Sequence, residues 1–239
     1  MKNEIKYKYN TYSPIIALLY SEEIDTLFAI SKSSQISVIN IEKCSTYHKI
    51  MFKLNGTIYS MSCSADDKYL FISGSKGVLK QLSMQSHALI KDYGQVHDGA
   101  IFSLNCTQNS LYLFTSDSKG TIKQFSIKER RMIRDFGKVH QGDIRALEST
   151  PDSEYLFSAD KFGYLKQFLV EDGSLIKDYG NVSDCIIYSI SCSPNSDYLF
   201  TSDENGYLKQ FSIRERQLER LYGKAHAGEI YSIIVTPDS

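Results

Sequence analysis

The chain has 239 residues and almost equal numbers of basic and acidic side chains, 27 Lys+Arg against 28 Asp+Glu, which gives a formal net charge of −1. This balance argues against binding to nucleic acid or to an anionic membrane through a general basic field. The longest apolar run, Ile15 to Leu19, is far too short to span a bilayer, and no N-terminal secretory signal is recognisable, so we expect a cytoplasmic protein.

One sequence unit recurs along the chain with a period of 43 residues. It is easiest to see in the phrases GVLKQLSM, GTIKQFSI, GYLKQFLV and GYLKQFSI, which begin at Gly77, Gly120, Gly163 and Gly206. Repetition at a fixed period of this length is typical of a repeat architecture, in which each unit folds as one supersecondary element.

Each unit contains four predicted strands, as the copy that starts at Ile101 illustrates. IFSLNCT alternates apolar with small or polar residues, as a half-buried strand does, and LYLFTS follows after a polar turn. TIKQFSI is the third predicted strand and RRMIRDFG the fourth. No segment longer than a turn keeps helical spacing, so the sequence predicts an all-β chain.

Four strands in every 40 to 45 residues or so is the expected length of a β-propeller blade. A single four-stranded sheet has two apolar faces, and packing it between neighbouring blades covers both of them. We therefore predict an all-β propeller of four-stranded blades, with five repeats plus parts of a sixth in an incomplete ring.

In chain order, all segments are predicted to belong to this one propeller domain. They are the outer strand of a preceding or closing blade in 1–14, a divergent first blade in 15–57, four further blades in 58–100, 101–143, 144–186 and 187–229, and the first strand of a sixth blade in 230–239. Three arrangements would explain the partial blades predicted at the two ends: a fragment of a longer array, an irregular closure with both terminal strands, or completion by a partner. We favour a fragment, because an exposed first strand leaves an edge that can pair with other chains.

The 43-residue repeat resembles the repeat of the WD-repeat (G-beta repeat) family. The resemblance covers essentially the whole chain. In that family a His before the first strand joins a Ser or Thr, an Asp and a Trp in a structural hydrogen-bonded set. VHDGAI, VHQGDI and AHAGEI bring three histidines to the matching place, which implies a structural role for His97, His140 and His226. The Trp place is taken by Phe125, Phe168 and Phe211, which we expect to be buried between blades.

The turn Asp of the family is also replaced, by Lys76, Lys119, Phe162 and Asn205. Two positions earlier the chain has Asp117, Asp160 and Asp203, and we hypothesise that these carboxylates accept the His proton instead.

Two buried columns of the repeat are polar or reactive. Four glutamines alternate with apolar residues on the third strand, namely Gln81, Gln124, Gln167 and Gln210. They are either interior amides satisfied by neighbouring backbone, which we favour, or ligand contacts. Another column exchanges Cys63, Cys106 and Cys192 for Ser149 and Val235, so we expect a small buried position with free thiols.

One further column carries residue types that are enriched in binding hot spots. The second residue of the first strand is, in order, Ile16, Tyr59, Phe102, Arg145, Tyr188 and Tyr231. The resemblance implies that this position lies near the rim of the central channel, where partners dock. We predict a partner-binding site formed by Tyr59, Phe102, Arg145, Tyr188 and Tyr231. The alternative is that the aromatic residues only fill space between blades.

The sequence contains no Cys-x-x-Cys, His-x-x-x-His or G-x-S-x-G motif that would indicate a metal site or a nucleophile. We therefore predict a scaffold that is not an enzyme, holds no cofactor and binds protein or peptide partners through the rim and loops. The alternative is a propeller enzyme with a cofactor or substrate in the channel, which would need convergent carboxylates or histidines there.

Overall fold

The computed structural model describes residues 13–21, 24–31, 33–40 and 56–236, together with the backbone of 45–50. All regular secondary structure in these residues is β-strand. The strands in chain order are β1 (Ile15–Ser21), β2 (Thr26–Ser31), β3 (Ile36–Asn40), β4 (Ser45–Ile50), β5 (Ile58–Cys63), β6 (Tyr69–Gly74), β7 (Val78–Ser83), β8 (Leu89–Gln95), β9 (Ile101–Cys106), β10 (Tyr112–Asp117), β11 (Thr121–Ser126), β12 (Arg131–Lys138), β13 (Ile144–Ser149), β14 (Tyr155–Asp160), β15 (Tyr164–Leu169), β16 (Leu175–Asn181), β17 (Ile187–Cys192), β18 (Tyr198–Asp203), β19 (Tyr207–Ser212) and β20 (Gln217–Lys224).

Consecutive strands form five antiparallel four-stranded sheets, which we number as blades 1 to 5 in chain order. The first strand of each blade contacts the first strand of the next, from β1 through β5, β9 and β13 to β17. These inner strands surround a shared channel. The prediction of an all-β propeller built from four-stranded blades is therefore confirmed.

The apolar core lies between blades. Between blades 2 and 3, Phe71 and Leu79 of one sheet pack against Ile101, Leu113 and Phe125 of the next. Equivalent clusters join blades 1 and 2, blades 3 and 4, and blades 4 and 5. Wherever two blades meet, both sheets thus remove an apolar face from water, as the repeat pattern predicts.

The repeated glycine lies in a tight turn between the second and third strands of a blade. Gly120 has a φ of 82°, and its carbonyl accepts the N–H groups of Val139 (2.8 Å) and His140 (3.1 Å). A Cβ at this position would lie 2.1 Å from the carbonyl oxygen of His140. Only glycine combines the left-handed backbone with this close approach, which fixes the loop to the next blade against the turn.

Residues 230–236 follow blade 5 and lie alongside β17. The N–H of Ile233 donates to Ser189 Oγ (3.2 Å), the same contact that joins the inner strands of blades 2 and 3 and of blades 3 and 4. The segment therefore lies where the next inner strand would be. No described strand pairs with it, and the predicted strand there stays a prediction. A sixth blade stays a prediction, and the outer strand predicted in 1–14 lies outside the described residues except for 13–14.

Candidate functional site

The predicted binding column converges at one end of the channel, in an open cavity of about 800 Å³ that we call the mouth. Strand alternation explains this placement: the first residue of an inner strand, such as Ile101 or Ile144, is fully buried between blades, so the second points the other way. The mouth is lined by Ile15, Ile16, Tyr59, Phe102, Arg145, Tyr188 and Tyr231.

The side chains of the mouth form two groups in contact, which we call stacks, with their rings tilted by 42° and 45° to each other. The Tyr59 and Phe102 rings have centroids 5.2 Å apart, and the guanidinium carbon of Arg145 lies 4.0 Å from the centroid of the Phe102 ring. Tyr188 and Tyr231 form the second stack, with centroids 5.0 Å apart. Tyr59 is 40% exposed and Tyr231 is 64% exposed, so this column lies outside the apolar cores between blades.

Charged groups divide the mouth into a cationic and an anionic half. On blade 4, Asp143 accepts a hydrogen bond from Arg145 Nη2 (3.0 Å) and forms an ion pair with Lys161 Nζ (3.1 Å). Two cations therefore share one carboxylate. Further round the mouth, beyond Tyr188, the Tyr231 hydroxyl donates to Glu229 Oε2 (2.6 Å), which raises the pKa of that tyrosine.

Tyr188 is influenced by both halves. Burial raises its pKa first, Glu204 and Glu229 raise it further, and Arg145 acts in the opposite direction. Sequence reasoning missed Asp143, Lys161, Glu204 and Glu229. A signal was present, because Asp143 and Glu229 occupy one column of the repeat, two positions before the binding column.

Below the mouth, Glu148 lies on the channel wall. Burial raises the pKa of its carboxyl to about 7, although the N–H of Cys192 acts to lower it. Asn105 Nδ2 donates to Glu148 Oε2 (3.3 Å). Asn105 itself accepts the N–H of Ser149 (3.0 Å) in the next blade, so this column links inner strands. Sequence reasoning did not single out Glu148.

Two of the three predicted structural histidines lie in buried hydrogen-bonded sets. In blade 3, His97 Nε2 lies 2.6 Å from Thr115 Oγ1 and Nδ1 lies 3.2 Å from Asp117 Oδ2. In blade 4, His140 makes the corresponding approaches to Ser158 (2.6 Å) and Asp160 (3.3 Å). Each histidine thus lies close to the hypothesised Asp, although in blade 4 neither His140 Nδ1 nor Asp160 Oδ2 has a hydrogen-bond partner among the described residues.

The third histidine behaves differently. In blade 5 the position of the histidine is taken by Ser183, whose hydroxyl donates to Asp203 Oδ2 (2.7 Å). His226 is exposed and makes no side-chain hydrogen bond to the described residues.

The third-strand aromatic residues lie in the cores between blades. Phe125, Phe168 and Phe211 are each buried, and each meets an aromatic ring of the preceding blade edge to face. For Phe125 that partner is Tyr93, at 5.5 Å between centroids. The same tyrosine hydroxyl donates to Gln81 Oε1 (2.9 Å).

The column of glutamines is thus partnered mainly by fourth-strand side chains, and not by neighbouring backbone as we favoured. Tyr179 and Tyr222 bond Gln167 and Gln210 in the same way as Tyr93 bonds Gln81. In blade 3 the tyrosine is replaced by Phe136, and Arg134 Nη1 bonds Gln124 Oε1 instead (2.6 Å). Here Gln124 Nε2 also donates to the carbonyl of Val170 in the next blade (3.1 Å), which is the backbone contact expected.

The described cysteines are free thiols, as expected: Cys63, Cys106, Cys185 and Cys192. Within the part of the chain that the structure describes, no cluster of three or more His, Cys, Asp or Glu side chains is arranged to hold a metal ion. No helix in these residues is long and apolar enough to cross a membrane.

Comparison with known families decides the nature of the repeat. A family model described as WD domain, G-beta repeat, matches residues 173–212. The chain contains a WD repeat. With the five-bladed arrangement, this match confirms the resemblance to the WD-repeat family. No curated protein matches the chain.

The matched WD repeat is offset from the blades of the structure. It begins at the turn before β16 and ends with β19, so it joins the outer strand of blade 4 to the three inner strands of blade 5. WD-repeat propellers generally mediate protein–protein interactions and typically lack catalytic activity.

Proposed function

We propose that this chain is a non-catalytic cytoplasmic scaffold that binds protein or peptide partners at the mouth of the channel. The observation that carries the proposal is the convergence of one repeat column, four aromatic rings and one arginine, on a single open cavity. Tyr and Arg are enriched among the few residues that dominate binding energy in protein interfaces, and Phe is enriched in interfaces generally.

The alternative of an enzyme with its site in the channel has less support. It requires several carboxylates or histidines that converge on one point. Along the described wall of the channel Glu148 is the one carboxylate, and its hydrogen bond with Asn105 continues a column that links neighbouring blades.

Affinity purification with a charge-reversed mouth tests the proposal. Arg145→Glu should remove a specific set of co-purified proteins, because it places a second carboxylate beside Asp143 and ends the stacking on Phe102. Thermal unfolding should be little changed, since Arg145 lines the open mouth with 31% of its side chain exposed, and Lys161 remains paired with Asp143.

A matched control and a second variant make the test decisive. Arg214→Glu reverses a charge at a side chain that is 90% exposed and not part of the mouth, and it should retain the same proteins. Tyr59→Ala should lose them as Arg145→Glu does, and it replaces the Arg145 variant if that protein does not fold. Equal recovery from wild type, mouth variants and control would contradict the proposal.

A further inference from the structure

The cationic half of the mouth has an unbalanced positive charge held in a fixed position. Arg145 and Lys161 both contact Asp143, so one carboxylate neutralises only one of two cations. The face of the Arg145 guanidinium is covered by the Phe102 ring at 4.0 Å. Stacking leaves the N–H donors free, because they lie in the plane of the group and point away from its faces.

Arg145 has hydrogen-bond donors that the described protein groups do not use. A guanidinium has several N–H groups, and the described hydrogen bond uses Nη2 alone. Nη1 makes no hydrogen bond among the described residues and, unlike the buried Nε, is open to solvent. An arginine that is preorganised by stacking, paired at one edge and incompletely bonded elsewhere, is suited to accept a carboxylate from outside.

The side chains around Arg145 indicate the chemistry of the ligand on either side of that carboxylate. Apolar surface flanks Arg145 on both sides, with Tyr59 and Phe102 in one stack and Tyr188 and Tyr231 in the other. Glu229 lies in the anionic half, hydrogen-bonded to the Tyr231 hydroxyl, and Glu204 raises the pKa of Tyr188. These acids repel a ligand that carries many negative charges.

We propose that the mouth recognises a linear peptide segment in which a single Asp or Glu, flanked by apolar side chains, binds Arg145. The carboxylate forms charge-assisted hydrogen bonds with the guanidinium, and the flanking side chains cover the two stacks. This inference rests on the proposed function and adds the chemistry of the ligand. Polyanions such as nucleic acid or multiply phosphorylated segments do not fit the divided charge of the mouth.

Selection from a library of short random peptides displayed on phage, with the whole chain immobilised, tests the inference. The enriched peptides should share one acidic residue between apolar ones. In a synthetic copy of an enriched peptide, replacing that acid by its amide should weaken binding to the wild type about tenfold or more.

A double-mutant cycle locates the contact. With Arg145→Gln the acidic peptide should bind as weakly as the amide peptide binds the wild type, and the two peptides should differ little from each other. Arg214→Glu serves as the control and should leave the preference for the acid unchanged. Superimposable thermal unfolding of wild type and Arg145→Gln shows that the fold is intact.

The outcomes separate this inference from the function beneath it. If enriched peptides are weakened by Tyr59→Ala or Tyr231→Ala but show no preference for acid over amide, the carboxylate proposal is overturned and binding at the mouth stands. If the acid preference persists in Arg145→Gln, the assignment to Arg145 is overturned. If no enriched peptide is weakened by any mouth variant, both proposals are overturned.

Discussion

Asp117 organises both the turn of its own blade and the loop that enters that blade. Its Oδ1 accepts the N–H groups of Lys119 (3.0 Å) and Thr121 (2.9 Å), and its Oδ2 lies 3.2 Å from His97 Nδ1. Burial by itself would raise the pKa of Asp117, but the hydrogen bonds from His97 and Thr121 outweigh burial and lower the pKa to about 2. The folded blade therefore favours the ionised carboxylate.

Replacing this carboxylate should have a pH-dependent effect. Asp117→Asn should lower the free energy of unfolding by about 1–3 kcal/mol at neutral pH, because it leaves buried donors with a poorer acceptor. The folded pKa lies below the unfolded value of about 4, so the contribution of Asp117 is complete above that value and is lost as the pH falls towards 2. Urea unfolding of variant and wild type should thus give curves that converge in acid.

Asp135→Asn is the matched control within the same blade. Asp135 forms a half-exposed ion pair with Lys123 (3.3 Å), so its loss should change the free energy of unfolding by about 1 kcal/mol or less. A difference between Asp117→Asn and wild type that stays constant from neutral to acid pH would argue against the ionised carboxylate as the stabilising group.

At the scale of the strand and turn, the blades depend on glycines for two different reasons. Gly120 needs both a positive φ and empty space, since a Cβ there would meet backbone carbonyl oxygens of His140 and Gly142. Gly137 in β12 has a similar φ of 68°, but nothing lies within 4 Å of its missing Cβ. Backbone conformation and close approach can therefore be tested separately.

Gly137→Ala should lower the free energy of unfolding by about 1–2 kcal/mol, because a left-handed backbone conformation is unfavourable for a residue with a Cβ. Gly120→Ala should cost clearly more, because the loop carrying His140 must also move. Thermal unfolding followed by circular dichroism gives both values. Equal losses would show that the close approach at Gly120 contributes nothing beyond backbone strain.

At the scale of the whole molecule, equivalent residues differ according to whether a blade covers them. Phe157 of blade 4 is fully buried against blade 5, within a cluster that includes Ile187 and Phe211. Phe200, one period later in blade 5, is only half-buried among the described residues. Identical side chains in the same strand position thus lie in different surroundings.

Phe157→Ala should lower the free energy of unfolding by about 3–5 kcal/mol, as expected for a large aromatic side chain lost from a core. Phe200→Ala should cost distinctly less, since part of that ring already contacts water. Chemical denaturation of the two variants measures both losses. A loss at Phe200 as large as that at Phe157 would indicate that the far face of blade 5 is covered in solution.

The sequence predicted the blades and the binding column because both repeat with the period, and a repeated residue has a repeated environment. The sequence could not predict features that depend on contacts between side chains of different strands and turns. Asp143 is shared by Arg145 and Lys161, which come from a strand and from a later turn. His226 is exposed among the described residues, whereas His97 is buried. The Tyr93–Gln81 bond joins two strands whose pairing no single position reveals.

The offset between the WD repeat and the blade has a consequence for how such a chain can change its length. Any stretch of one period contains four strands, wherever it begins, because the outer strand of one sheet is followed directly by the inner strands of the next. An in-frame duplication or deletion of one period would therefore gain or lose a complete sheet, and the new junctions would meet surfaces of the same kind. Such an array can therefore gain a blade in a single genetic event, because the added blade packs against its neighbours through the same kind of apolar surface.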